Sequence, residues 1–358
     1  MAVGVTGAEK DVVLITGSSG HIASALIERL GDDYALVGAD RPGLPVHGGL
    51  ARYVPMDLTS DESVELGIAD IRRKFGGRLA AVFHLAAYYN FTGDPDPRYE
   101  TVNVLGTERL LGHLQTLEVD RFIFSSSMLV HEPTEPGRPI RENGPLNPAW
   151  NYPQSKLDAE ERIRQSHGEI AYVILRIAGV YDDEGGLPAL AQQIQRIYER
   201  KLIGRVFPGD SSRGQAAIHL DDLATLFALL IEKRNTLPDG LVLLAGEPET
   251  VSYATLQYEL GRLIHGEPWE TREIPKSLAK TGAWLEEVAL PKEKEPFIKH
   301  WMIDIADDHY ELDISKARML LGWQPKHHML KTLPKIIEAL RRDPARWYKR
   351  HKLDYPGR

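Results

Sequence analysis

Short, uninterrupted apolar runs alternate with helically spaced ones along the first half of this chain, and the alternation loosens beyond residue 180. Val12, Val13, Leu14 and Ile15 form the first run; 35–39, 79–87, 121–124 and 171–177 form others. Continuous runs of this length are what strands buried on both faces of a parallel sheet require. Between them, helical patterns are predicted over 59–71, 98–117 and 152–164, so residues 11–178 read as a doubly wound α/β unit. Further on, a loop at 182–186, a helix at 187–200, a turn-rich stretch at 207–214, an apolar helix at 223–231 and a strand at 241–245 follow. We therefore expect a main domain over 1–178, to which 216–246 returns. A smaller α/β substrate lobe is expected over 179–215 and 247–330, and a C-terminal helix and tail over 331–358. In the tail, Leu333, Ile336, Ile337 and Leu340 recur at helical spacing and are expected to pack on the body.

The first run ends in a glycine turn, Thr16-Gly17-Ser18-Ser19-Gly20-His21-Ile22-Ala23, which leads into a helical pattern. Gly17 permits the tight turn, Gly20 clears the backbone for a pyrophosphate, and Ala23 lets the helix close on the sheet. The helix start would then turn its free N–H groups toward phosphate, with Ser19, His21 and Ile22 at the same turn. Twenty positions after Gly20, Asp40 ends the second run, where a carboxylate accepts ribose hydroxyls and favours NAD. Arg41 is placed to face a 2′-phosphate, which keeps NADP as the alternative. Asp57 and Leu58 end a third strand near the expected adenine position, although an acid there also suits a helix cap. Leu85, Ala86 and Ala87 supply the small strand-end residues that a flat ligand over the sheet edge needs.

Composition narrows the partners more than the fold. The chain is 42% apolar and 26% charged, ordinary for a globular protein, and its formal charge of −8 gives no reason to expect nucleic acid or an anionic membrane. The absence of cysteine excludes disulfides, thiolate metal sites and cysteine nucleophiles. No apolar stretch is long enough to span a bilayer, and the first ten residues lack the build of a signal peptide, so a cytoplasmic enzyme of small molecules is expected.

Tyr152 and Lys156, four apart on a predicted helix, share one face. The ammonium is expected to lower the phenol's pKa and make Tyr152 a general base, while Lys156 also holds cofactor ribose. Ser127, last of the run Ser125-Ser126-Ser127 on a neighbouring strand, is the candidate to orient the substrate oxygen. A second tyrosine–lysine pair, Tyr348 and Lys352, has neither serine strand nor glycine loop before it and reads as a surface coincidence.

These motifs, with Asn103-x-x-Gly106-Thr107, Leu175-Arg176, Ile218-His219-Leu220-Asp221-Asp222, Leu312-Asp313-Ile314-Ser315-Lys316 and Leu321-Gly322-Trp323-Gln324-Pro325, run in the order of one family. The chain resembles the extended short-chain dehydrogenase/reductase superfamily, in particular its NAD-dependent epimerase/dehydratase group. The resemblance implies a Rossmann lobe, a smaller C-terminal substrate lobe, Ser127, Tyr152 and Lys156 as the catalytic set with Asn103 in support, and a homodimer built on helices near 100–117 and 152–166. Where dehydratases and decarboxylases of the group carry acids after the catalytic hydroxyl residue, this chain has Met128 and Leu129, which disfavours those reactions. Ala23 stands for the usual third glycine, and Val130-His131-Glu132 replaces the usual Val-Tyr-Gly.

Many UDP-sugar members have an arginine where this chain has Gln215, with Arg213 displaced by two. Tyr88, Tyr89, Ser127 and Arg213 are the substrate candidates. His219 is expected to be structural, and His327-His328 a surface pair rather than a metal site. Three readings follow: a sugar or sugar-nucleotide epimerase, a net NAD(P)-dependent dehydrogenase or reductase of a hydroxyl or ketone, or a non-catalytic nucleotide sensor on the same fold.

Overall fold

The computed structural model describes residues 10–44, 49–90, 93–281 and 299–356. Strand β1 (Val12–Thr16) leads through the glycine turn into α1 (His21–Leu30), and β2 (Ala35–Asp40) and β3 (Ala51–Pro55) follow. Helix α2 (Asp61–Phe75) starts where Ser60 accepts the Ser63 N–H, and ends on Arg72, Arg73 and Lys74, the charges that suit a helix C-terminus. The apolar run at 79–87 is shorter as a strand than expected: β4 (Arg78–Leu79) is a separate two-residue piece, β5 (Ala81–His84) enters the sheet, and 85–87 continue without strand pairing. The helix expected over 98–117 is a π-helical turn (Tyr99–Val104) running into α3 (Leu105–Leu114). Next come β6 (Glu118–Val119), β7 (Phe122–Ser127), α4 (Asn151–Ser166) and β8 (Tyr172–Ile177).

Beyond them lie β9 (Gly179–Tyr181), α5 (Pro188–Tyr198), β10 (Val206–Pro208), β11 (Ala217–His219), α6 (Leu220–Glu232), β12 (Leu241–Ala245), α7 (Tyr253–His265) and β13 (Arg272–Ile274). The described chain closes with α8 (His300–Asp304), α9 (Ser315–Leu321), α10 (Met329–Arg342) and α11 (Pro344–Arg350). Seven strands form one parallel sheet in the order β12-β8-β7-β5-β1-β2-β3. The strand order reverses beside β1, which opens a crevice at the carboxyl ends of β1 and β5. Two small parallel pairs, β9 with β11 and β10 with β13, lie outside that sheet.

Alternation along β1 separates two cores. Val13 and Ile15 face Leu26 and Ile27 of α1 and Phe227 of α6; Leu14 faces the side of Leu111 in α3 and Ile163 in α4. A third core gathers Tyr181, Ile194, Leu260, Leu333, Ile336, Ile337 and Leu340 with Trp347 and Tyr348. The helical spacing in the tail thus buries a full stripe of α10. Tyr348 corrects the surface reading: it is fully buried, and its hydroxyl donates to Glu199 (2.8 Å), while Lys352 stays exposed. Among the described residues, no helix is long and apolar enough to cross a membrane.

Candidate active site

The glycine turn packs directly against the end of β5. Gly17 has φ +68°, and a Cβ there would lie 2.8 Å from the Ala86 backbone, so glycine is required twice over. No side chain caps α1 at Gly20, which leaves its first amides directed toward an anion. Asp40 is held in place by Ser19, whose N–H (3.0 Å) and hydroxyl (2.6 Å) donate to one carboxylate oxygen, and by the Arg41 N–H (2.8 Å) on the other. Gly17, Ser19, Gly20, Asp40, Arg41, Asp57, Leu58, Leu85, Ala86 and Ala87 line one cleft. The buried Ser18 hydroxyl beneath the turn has no hydrogen-bond partner among the described residues. A cradle without Cβ atoms, uncapped amides and a positioned carboxylate fit a dinucleotide.

Several details of that cleft differ from the sequence reading. Asp57 accepts the N–H (2.9 Å) and hydroxyl (2.7 Å) of Thr59, a local turn, and leaves the capping of α2 to Ser60. His21, first residue of α1, has its ring 2.8 Å from Asp182, and Ile22 packs on the core side. Under the turn, the buried His84 ring bonds Thr16 Oγ1 (2.7 Å) and Thr107 Oγ1 (2.9 Å), tying β1, β5 and α3 together. Burial pushes the His84 pKa down to about 3, with Lys156 adding to the effect, so the ring is neutral.

Ser127 ends β7, and its hydroxyl accepts the Leu129 N–H (3.2 Å). Lys156 is buried beneath Tyr152, with Nζ donating to the Ser125 carbonyl (2.7 Å) and lying 5.9 Å from the Tyr152 ring centre. Here the structure corrects an expectation. Burial is the largest influence on Tyr152 and pushes its phenol above the ordinary tyrosine range; the expected lowering by Lys156 does not prevail. The same burial brings Lys156 down to about 7, against the pull of Glu160. Asn103 clasps the Tyr88 backbone, accepting its N–H (2.6 Å) and donating to its carbonyl (3.0 Å), and also donates to Ser155 on α4 (2.9 Å).

A buried charge lattice, unseen in the sequence, lies one turn beyond Lys156. Glu160 accepts from Arg176 (2.9 and 2.7 Å), Ser126 (2.6 Å) and Arg164 (2.9 Å). Burial works against its charge, and these partners outweigh it, holding the carboxyl below its usual range.

The substrate candidates separate. Tyr89 meets Tyr152 edge to face (4.7 Å between ring centres), and Trp150 lies 5.6 Å from Tyr152 and 5.2 Å from Trp301 on α8. The two tryptophans were not among the sequence candidates. Tyr88 instead donates its hydroxyl to Asp96 (2.9 Å) beneath the Arg98 guanidinium. Arg213 is paired with Glu135 (2.6 Å) and Asp210 (3.3 Å).

His219 caps α6 by accepting the Asp221 N–H (3.2 Å), which fits a structural role. His327 is half-buried and stacked on His219 (3.8 Å), its Nδ1 on Asp222 (3.1 Å), rather than part of a surface pair. These rings and Asp221 lie close enough to hold a metal, but the two rings are nearly parallel, at 13°, so their lone pairs run side by side instead of converging.

The UDP-glucose 4-epimerase of Mycolicibacterium smegmatis is 28% identical over 342 residues, 92% of this chain and 98% of that protein. A 4-hydroxy-2-methyl-3-oxo-4-farnesyl-3,4-dihydroquinoline-1-oxide ketoreductase of Stigmatella aurantiaca is 26% identical over 325 residues, 86% of this chain and 90% of that protein. Among solved structures, the UDP-glucose 4-epimerase of Thermotoga maritima with UDP-glucose superposes with a TM-score of 0.69 at 22% identity, covering 92% of this chain and 99% of that one. The Thermus thermophilus UDP-glucose 4-epimerase complex with NAD gives 0.67 at 20% identity, covering 92% and 99%. The model of the NAD dependent epimerase/dehydratase family matches residues 13–246, more than half of the chain. With a parallel sheet reversing beside β1 and a glycine turn facing Asp40, this chain belongs to the NAD dependent epimerase/dehydratase family.

Proposed function

We propose that the protein is an epimerase-type enzyme acting on a hydroxyl of a sugar or sugar nucleotide. Tyr152 takes the hydroxyl proton as the carbon is oxidised to a ketone, and returns it when the carbon is reduced from the other face. NAD, the family's cofactor, accepts the hydride when bound and gives it back. Burial alone keeps the phenol protonated, so the proton transfer needs the positive charge that NAD would bring when bound, added to that of Lys156; Ser127 orients the substrate oxygen, and Asn103 keeps the 88–90 segment and α4 in register. Gly17, Ser19, Gly20, His21, Ile22, Asp40, Arg41, Asp57, Leu58, Leu85, Ala86 and Ala87 form the cofactor's bed, with Asp40 setting NAD over NADP.

The observation that carries this reading is the placement of Tyr152 above the buried Lys156, beside the strand that ends in Ser127. Similarity over 92% of the chain to a UDP-glucose 4-epimerase supports the substrate class. One observation favours a second reading, a net ketoreductase: Arg213 is neutralised by Glu135 and Asp210 and so is not set up to meet a phosphate.

The remaining assignments belong to the same proposal: Tyr89 and Ser127 touch substrate, a C-terminal lobe over 179–215 and 247–330, of which 282–298 lie outside the described residues, binds it, and the enzyme is a cytoplasmic homodimer. Nucleotide content of the purified protein tests the main reading. About one NAD retained per chain supports an internal cycle; a protein that exchanges NADH or NADPH freely favours the ketoreductase. Tyr152→Phe should abolish turnover, by at least about 100-fold, with NAD content unchanged. Full activity in that variant would remove Tyr152 from its role.

A further inference from the structure

The last described helix reaches back to the glycine turn. Asp182, buried just after β9, has one carboxylate oxygen 2.8 Å from His21 Nε2, and the same oxygen accepts from the Arg350 guanidinium of α11. Its other oxygen accepts the Glu184 N–H (2.8 Å). Burial opposes the Asp182 charge, yet His21, the Glu184 amide and Arg350 together hold the carboxyl well below its usual range.

Helix α11 grips this loop at further points. Arg350 also pairs with Glu184 (2.9 Å), whose carbonyl accepts from Trp347 Nε1 (2.8 Å) and lies 2.9 Å from His351 Nε2. Gly185 has φ +120°, and a Cβ there would meet the His351 ring at 2.9 Å.

His21 follows β1, whereas Asp182 follows β8 and β9. In the sheet, β1 and β8 are separated by β5 and β7, three strand spacings or about 14 Å. The His21–Asp182 contact therefore ties the start of α1, which adjoins the cleft residues Gly17, Ser19 and Gly20, to the segment that follows β9 on the far side of β5 and β7.

We propose that Arg350 is a positioning residue for the dinucleotide, acting through Asp182 and His21. An isolated carboxylate at Asp182 would oppose an anionic pyrophosphate. Arg350 neutralises it, and Asp182 in turn holds the His21 ring at the amide end of α1, so that the turn keeps its grip on phosphate. This inference rests on residues 17–22 being the pyrophosphate turn.

The test is NAD affinity of the full chain, by calorimetry on nucleotide-free protein, for Arg350→Ala, His21→Phe and the double variant, with melting temperature measured alongside. Each single variant should weaken NAD by about tenfold, and the double variant should lose less than the product of the two, because both act through the Asp182 carboxylate. Arg350→Lys should restore part of the loss.

Losses that multiply in the double variant would overturn the relay, as would unchanged affinity in both singles. His21→Phe leaves α11 untouched, so unchanged NAD affinity there refutes the proposal even if Arg350→Ala fails to fold. Gly17→Ala separates the two levels. If it binds NAD like the wild type, the underlying reading of the turn falls; if it loses NAD while the other variants do not, only the role of Arg350 falls.

Discussion

Replacing His84 by leucine should produce a stability penalty that disappears as the solution is acidified. At neutral pH the variant leaves Thr16 Oγ1 and Thr107 Oγ1 without the ring they flank, and one such loss in a buried site costs about 2 kcal/mol. The wild type carries an opposite liability. Its folded-state pKa of about 3 lies below the unfolded value, so the unfolded chain binds the extra proton first. The stability tied to a neutral His84 is therefore full above the unfolded pKa of about 6.5 and is lost as pH falls toward 3. By about pH 5 the linkage relation puts that loss near 2 kcal/mol, comparable to the cost of the substitution. Urea denaturation at a series of pH values reads both quantities. Wild type should be the more stable at neutral pH, and the two curves should converge near pH 5. His131, whose burial also lowers its pKa, titrates in both proteins and cancels in the difference. Parallel curves across the range would show that His84 does not stay neutral in the folded protein, and the argument from its burial would fail.

Three further outcomes follow from the same geometry. Arg176→Met leaves the buried Glu160 carboxylate with Arg164 and Ser126 alone and should destabilise the protein by about 3 kcal/mol in urea unfolding, whereas a loss below about 1 kcal/mol would mean the lattice is solvated. Asp40→Ala should remove the discrimination against NADP, because Arg41 remains at the same strand end; equilibrium binding of both nucleotides checks this, and an unchanged NAD preference would free Asp40 of its role. Gly93→Ala places a Cβ at φ +75° and against the Trp301 ring, so it should cost more than about 1 kcal/mol and disturb the tryptophan fluorescence. A spectrum and melting curve identical to wild type would show that Trp301 does not pack against Gly93.

The glycine turn, Asp40 and the central strands were legible because their signals are local: an apolar run, a turn residue that needs positive φ, an acid at fixed spacing. Tyr152 and Lys156 were legible for the same reason, one helix face four residues apart. The sign of the Tyr152 shift was not, because it depends on how much protein surrounds the phenol, a property of the whole fold. Trp301 reaches Trp150 across about half the chain, and Arg350 reaches Asp182 over a comparable distance, so no spacing rule connects them. Tyr348 was misread by the same limit: its pattern is polar, yet Tyr198 and Glu199 come from far upstream to cover it.

The third core has a consequence for how the chain is made. Its first contributors, Tyr181 and the α5 residues Leu190, Ile194 and Ile197, leave the ribosome long before α10 and α11 exist to cover them. The strands from β1 to β8 can pair while synthesis continues, and α7 gives α5 partial cover, but the stripe that α10 closes stays open for the translation of more than a hundred residues. A nascent chain at that stage presents an apolar stripe suited to holdase chaperones. Its loop at 182–186 also lacks the helix that fastens it, so nucleotide should stabilise the growing chain less than the finished protein.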